Sequence, residues 1–191
     1  MVPAMRGYFG IGAERMSKAM NAGSLFRTAH AFGASFVFTV DAIFERREVE
    51  LADTSKAFSQ LPYYSYPDIE AMALPKGCAL VGIELTEDAV ELPSFRHPDS
   101  CAYVLGPERG SLSPEMTEAC DFVIKIPTAF CVNVAIAGAI VMYDRVVNLG
   151  RFPLRPVMPG SAPTPLPDHA HGEPVLRRQK RPEKKGEKGV K

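Results

Sequence analysis

No stretch of this sequence is long enough to cross a bilayer as a helix. The longest near-apolar run, Ala129 to Tyr143, is 15 residues, against about 20 for a membrane span. The amino-terminal residues lack the basic start, apolar core and cleavage site of an export signal. Both absences predict a soluble, cytoplasmic protein. The four cysteines, Cys78, Cys101, Cys120 and Cys131, form no C-x-x-C pair. Three lie in or beside apolar runs, where a reduced thiol packs as a small hydrophobe. His30, His97, His169 and His171 show no metal-ligand spacing, so no metal is expected. No internal repeat is visible.

What is present is enough for one core. With 191 residues, 46% of them hydrophobic, the chain can bury a single real core. Its net charge of zero hides an asymmetry: residues 1–150 hold 12 Lys+Arg against 18 Asp+Glu, whereas residues 151–191 hold 10 against 4. The second segment is proline-rich, RFPLRPVMPGSAPTPLP, and ends in RRQKRPEKKGEKGVK, with almost nothing to bury. The sequence therefore predicts a folded domain over 1–150 and a disordered basic tail over 151–191. Such a tail can add salt-dependent attraction to nucleic acid phosphates, or simply solvate a chain end.

Four apolar runs are continuous rather than alternating, as in strands buried on both faces: Phe36 to Val40, Ala79 to Ile83, Cys101 to Leu105 and Phe122 to Ile126. A further strand is expected near Pro62 to Tyr66, and a helix from Asp68 to Leu74. Between the runs lie helix patterns: Ala22 to Phe32, preceded by Asn21 as a natural N-cap and ended by Gly33, and a second opened by Ser113 with Pro114 in its first turn. Strand and helix alternation indicates an open α/β fold with a mostly parallel sheet. Ligands in such folds sit at the carboxyl ends of the strands. That rule singles out Glu84, the loop Gly106 to Gly110, the loop Pro127 to Cys131, and the start of the helix at Asn21 to Gly23.

Within Ile126 to Val146 one amide, Asn133, interrupts a mostly apolar segment whose hydrophobic residues run almost all the way around a helical period. An unpaired amide there would cost roughly 1–3 kcal/mol. Asn133 is therefore either tied to fixed neighbours or at work on a ligand. Gly7, Gly10 and Gly12 suggest a dinucleotide loop, but no apolar strand precedes them and no long helix follows at once, so they read as a flexible loop. Cys131 has no histidine nearby in sequence, which favours a packing or backbone-presenting role over a nucleophilic one.

Three blocks occur in order: Asn21-Ala22-Gly23-Ser24-Leu25-Phe26-Arg27-Thr28-Ala29, then Val104-Leu105-Gly106-Pro107-Glu108-Arg109-Gly110, then Ile126-Pro127 with Val132-Asn133-Val134. Together they resemble the SpoU/TrmH branch of the SPOUT RNA methyltransferases, across most of residues 8–148. The resemblance implies an α/β domain with a C-terminal trefoil knot, which no periodicity shows and which general topology rules disfavour. It also implies S-adenosylmethionine held in the knot loops, and a homodimer. Carried over position by position, it implies catalytic roles for Arg27, Asn21, Glu108 and Asn133. It implies donor contacts at Gly106, Ile126, Cys131 and Val132, with Ile83 and Glu84 beside them. One departure stands out: where many relatives have Ser-Leu-Asn, this chain has Cys131-Val132-Asn133.

The implied reaction is methyl transfer to a ribose 2′-hydroxyl of tRNA or rRNA. It needs in-line placement and removal of a proton from a weakly acidic alcohol. A guanidinium stays protonated, so Arg27 suits the holding of a phosphate and of a developing alkoxide, with a perturbed arginine and a phosphate both left open as the base. Glu108 has a bland reading as well, as a turn carboxylate capping the helix that follows it. Two other functions compete with the enzyme: a non-catalytic RNA-binding protein on the same fold, and a nucleotide-binding enzyme of another kind. The first block starts at residue 21, so no separate RNA-binding domain is expected ahead of it. RNA contact is expected from the dimer surface, the tail, or both. The nearly all-round apolarity of a helix over Cys131 to Val147 is expected to serve a core on one side and a partner subunit on another.

Overall fold

Among the described residues, seven parallel strands form one sheet whose order departs sharply from chain order. The structure, a computed structural model, describes residues 7–44, 47–48 and 60–166. In chain order the elements are β1 (Tyr8–Glu14), α1 (Ala19–Ala31), β2 (Phe36–Val40), β3 (Tyr63–Tyr66), β4 (Ala79–Ile83) and β5 (Val90–Glu91). A 3-10 turn (Leu92–Ser94), β6 (Ser100–Leu105), α2 (Pro114–Ala119), β7 (Phe122–Lys125) and α3 (Val134–Leu149) follow. Across the sheet they lie β3-β2-β1-β6-β4-β7-β5, and every pairing is parallel. The continuous apolar runs expected as strands are strands. β6 is buried at all but its first residue, as a strand covered on both faces must be.

The central strand is one that the sequence hides. Residues 8–14 form β1, not a flexible loop, and β1 pairs with both β2 and β6. Its glycines are packing devices. A Cβ on Gly10 would run into the ring of Phe36, and one on Gly12 into the Phe38 carbonyl, so both positions lack the side chains by which a buried strand is recognised. Three further expectations are corrected. Residues 68–74 hold a turn rather than a helix, with Asp68 Oδ1 accepting the Ala71 N–H at 2.7 Å. The first helix begins earlier, at Ala19, so Asn21 lies inside its first turn and Lys18 is the N-cap residue. The last helix begins later, at Val134, and Asn133 caps it from outside: its Oδ1 accepts the Ala135 N–H at 2.9 Å. An amide that looked buried in an apolar helix is a capping residue at its mouth.

One face of the sheet is covered by α1 and α3, which cross so closely that a Cβ on Gly138 would meet Leu25 Cδ1. The opposite face packs Phe36, Phe38, Leu80 and Val104 with Leu112 and Met116 around α2. Ser113 caps α2 as expected, its Oγ accepting the Met116 N–H at 3.0 Å.

At the amino-terminal end of the sheet, Arg145 of α3 is 1% exposed. It donates to the carbonyls of Pro98 (2.7 Å), Asp99 (2.8 Å) and Tyr8 (3.3 Å) and lies over the Phe9 ring at 5.3 Å. Beside it, His97 bonds Tyr103 Oη through Nδ1 at 2.5 Å and Asp144 Oδ2 through Nε2 at 2.9 Å. Burial lowers the His97 pKa, and the Asp144 hydrogen bond opposes it only in part. The pattern fits a neutral ring that donates to Asp144 and accepts from Tyr103.

Chain contacts divide the molecule into Met1–Phe152 and Pro153–Lys191. In the second unit, residues 153–166 carry no helix or strand and are almost all exposed. The basic stretch expected to be disordered lies mostly beyond residue 166, outside the described residues. No described helix is long and apolar enough to cross a membrane.

Candidate active site

A cleft of about 340 Å³ opens at the carboxyl ends of β4, β6 and β7, where an open α/β sheet presents its loops. Its size is within the range of small-molecule sites. All six residues expected to contact a donor line it: Ile83, Glu84, Gly106, Ile126, Cys131 and Val132. So do Asn21, Glu108 and Asn133. The lining mixes apolar surface from Ile83, Leu105, Ile126, Val132, Val134 and Ala137 with a few charged and amide groups.

Three of the four expected catalytic side chains form one hydrogen-bonded chain. Asn133 Nδ2 donates to Asn21 Oδ1 at 3.2 Å, and Asn21 Nδ2 donates to Glu108 Oε1 at 3.0 Å. The two amides thus run donor to acceptor in one direction and end on a carboxylate. Glu108 also accepts the backbone N–H groups of Ser17 (3.1 Å) and Lys18 (3.0 Å) and the Ser17 hydroxyl (3.0 Å). Burial pushes its carboxyl up, but the bonds from Ser17 and Asn21 outweigh that and hold its pKa below the ordinary value. An ionised carboxylate at the start of α1 also complements the positive end of the helix dipole. Glu108 therefore serves α1, which precedes it by some 90 residues, rather than the helix that follows, which Ser113 caps.

The loop between β6 and α2 is fastened by further carboxylates. Glu84 Oε2 accepts the Leu112 N–H at 2.8 Å, while its Oε1 accepts the N–H of Leu85 at 2.9 Å. Glu14, 2% exposed, accepts the Ser113 N–H at 2.8 Å and the Ser113 hydroxyl. Inside this loop a Cβ at Gly106 would lie 2.9 Å from Leu112 N and 3.0 Å from Ser111 C. The bare backbone there is a cradle that any side chain would fill.

Arg27 stands apart from this group. It is exposed on α1 and is not among the residues that line the cleft. Seven residues separate it from Met20, about two helical turns, so the two project from the same side of α1. Met20 lines an apolar groove between α1 and α3 together with Ile136, Ile140 and Tyr143. Met20 is 73% exposed, Ile136 54% and Tyr143 56%.

Sequence reasoning missed Lys18 and Lys125, both in the cleft lining. Lys125 Nζ donates to the carbonyls of Thr86 (3.1 Å) and Glu87 (2.9 Å), latching the segment after β4. Its signal was there to read, as the one polar residue in the run FVIKI. Cys131 is exposed at the cleft edge, and all four cysteines are free thiols. Among the described residues no group of three or more His, Cys, Asp or Glu side chains is placed to hold a metal.

Residues 9–143 match the profile of the SpoU rRNA methylase family. The chain belongs to that family. It is 31% identical over 135 residues to a TrmH-family protein of Staphylococcus aureus (strain COL), named as a candidate tRNA/rRNA methyltransferase; the match covers 65% of this chain and 52% of that one. It is 24% identical over 142 residues to the tRNA (guanosine(18)-2'-O)-methyltransferase TARBP1 of Mus musculus, covering 69% of this chain and 9% of the mouse protein. This SpoU-family chain thus spans about half of one curated relative and a small part of the other. Its fold is that of the SpoU methyltransferase AviRb from Streptomyces viridochromogenes, solved in complex with AdoMet, with a TM-score of 0.65, 24% identity, and coverage of 78% of this chain and 62% of that one.

Proposed function

We propose that this chain transfers a methyl group from S-adenosylmethionine to a ribose 2′-hydroxyl of tRNA or rRNA, working as a homodimer in the cytoplasm. The observation that carries the reading is the chain Asn133–Asn21–Glu108 beside the Gly106 cradle. It fastens α1, the β6–α2 loop and the cap of α3 around a single cleft. Backbone groups at Gly106, Ile126, Cys131 and Val132 would hold the donor, with the apolar walls from Ile83 and Val132 against its base. When bound, the donor supplies an electrophilic methyl on a sulfonium. The ionised Glu108, kept so by four hydrogen bonds, contributes negative charge on the side of the cleft that a cationic centre would favour.

A guanidinium is a poor base, so the 2′ proton would pass to an oxygen of the phosphate beside the target ribose rather than to Arg27. Its part is to hold the phosphate next to the target ribose and to stabilise the alkoxide as it forms. Because Arg27 does not line its own cleft, a dimer built on the α1–α3 groove gives it a place: flanking that groove, it would reach the cleft of a second copy. The trefoil knot belongs to the same proposal. β7 pairs with both β4 and β5, and Ile83 and Val90 both lie against Ile124. Residues 84–89 therefore join strands on either side of β7 near its carboxyl end, where the chain leaves for α3, and this crossing supports the reading. Free thiols at all four cysteines suit a reducing compartment. The domain over 1–150 would carry the chemistry, and the tail over 151–191 would add RNA affinity.

The deciding experiment maps 2′-O-methyl sites in total RNA from cells with and without the protein, beside calorimetry with S-adenosylmethionine. Loss of a defined 2′-O-methyl from tRNA or rRNA is expected. An unchanged methylation map together with no donor binding at millimolar concentration would overturn the reading. A protein that only binds RNA would have no chemical need of the Asn21, Glu108 and Asn133 set, whose members here are bonded to each other.

A further inference from the structure

Arg15 and Asp41 are the two non-glycine residues with positive φ among those described, at 52° and 48°. They stand side by side. Glu14 of β1 is in register with Val40 of β2, so the two residues leave adjacent strands at the same carboxyl-terminal edge. Both backbones are held there: the Arg15 N–H donates to the Val40 carbonyl at 2.8 Å, and the Asp41 N–H to the Tyr66 carbonyl at 3.0 Å. Their side chains face each other at 3.8 Å and are 56% and 64% exposed.

This arrangement is a poor stabilising device. Left-handed backbone at two L-residues has a cost, and a long, solvent-screened ion pair returns little of it. Strain that persists without a stability benefit points to function. Its location narrows which function. Arg15 opens the β1–α1 connection, and the next residues along it, Ser17 and Lys18, are the ones that bond Glu108. Lys18 lines the cleft. Residues 1–150 carry more acid than base, so a polyanion reaching this cleft must be met by individually placed cations rather than by the overall field.

We infer that the β1–α1 connection is a phosphate-binding ridge for RNA, on which Arg15 contacts the backbone of a nucleotide flanking the target, with Asp41 holding the guanidinium in place until RNA displaces it. The inference takes the identity of the polyanion from the methyltransferase reading, and its residues lie outside the Asn133–Asn21–Glu108 chain.

The test measures binding of bulk deacylated tRNA, and separately of fragmented rRNA, to the full-length protein as a function of salt. Donor affinity is followed by calorimetry in parallel. Asparagine is at home in the left-handed region, so Arg15→Asn and Asp41→Asn change charge without forcing the backbone. Arg15→Asn is expected to weaken RNA binding about fivefold and to make the slope of log K against log salt shallower by about 1. Arg15→Lys should keep the slope. Asp41→Asn should tighten binding about twofold, because the competing carboxylate is gone. Donor affinity should not change in any of them. A wild-type salt slope in Arg15→Asn, or RNA binding weakened as much by Asp41→Asn as by Arg15→Asn, would overturn the inference while normal donor binding left the methyltransferase reading standing. Loss of donor binding in the unaltered protein would instead strike that reading itself.

Discussion

Asn21 donates to Glu108 at 3.0 Å across 87 residues of sequence, and through that bond the first turn of α1 and the loop after β6 become one wall of the cleft. Replacing the amide tests the bond in two grades. Asn21→Ala deletes one donor but leaves Glu108 its three bonds from Ser17 and Lys18. Asn21→Asp sets a second carboxylate against the first, where like charges cannot both ionise cheaply. Steady-state kinetics should show kcat/KM falling about tenfold for the alanine and about a hundredfold or more for the aspartate, roughly 1.4 and 2.7 kcal/mol. Equal effects would mean that the amide acts on substrate and not on Glu108.

Gly106→Ala is predicted to impair the cleft while sparing the fold. The added Cβ meets backbone, Leu112 N at 2.9 Å and Ser111 C at 3.0 Å, so the loop itself must move. Affinity for S-adenosylmethionine should drop at least tenfold by calorimetry, with a circular dichroism spectrum like that of the parent. Parent-like affinity would show that the loop yields without consequence.

The groove between α1 and α3 is expected to be covered by a second copy. Ile136→Asp places a charge at the centre of its apolar lining, on a residue that is 54% exposed in the single chain. Light scattering at micromolar concentration should change from dimer to monomer, and turnover should vanish with the partner's Arg27. A monomeric parent protein would remove the dimeric site from the proposal.

His97 makes stability depend on pH. Its folded-state pKa lies below the ordinary 6.5, so the unfolded chain takes up a proton at a higher pH than the native one. The sign follows: the stabilisation is fully present above pH 6.5 and is lost as pH falls below it. Melting temperature should decline between pH 7.5 and 5.5, and His97→Gln should flatten that decline. An equally steep profile in the variant would place the titration elsewhere.

Much of the candidate site's lining could be read before the fold, for a physical reason. Loops that cradle a ligand use residue types with few substitutes, such as a glycine where a Cβ cannot fit and amides that both donate and accept, so Gly106, Asn21 and Asn133 are conspicuous as letters. Their partners are less so. Hydrogen bonds such as Ser17 to Glu108 join residues 91 apart, and no local pattern encodes them. β1 escaped because Gly10 and Gly12 give their volume to Phe36 and Phe38 of the next strand, which removes the very side chains that mark a buried strand. Asn133 was conspicuous but misplaced, since the hydrophobicity on both sides of it conceals where a helix starts.

Arg145 has a consequence for motion. One guanidinium ties α3 to three backbone carbonyls at the amino-terminal end of the sheet, whereas the carboxyl-terminal end is held by side chains on loops. Residues 7–152 are therefore expected to open as a book does, about the edge that Arg145 binds. Amide exchange should be slowest at Tyr8, Cys101 and the last turns of α3, and fastest from Gly106 to Gly110 and from Pro127 to Val132. Opening at the free edge would then let a donor enter and its spent form leave without disturbing the binding at the spine.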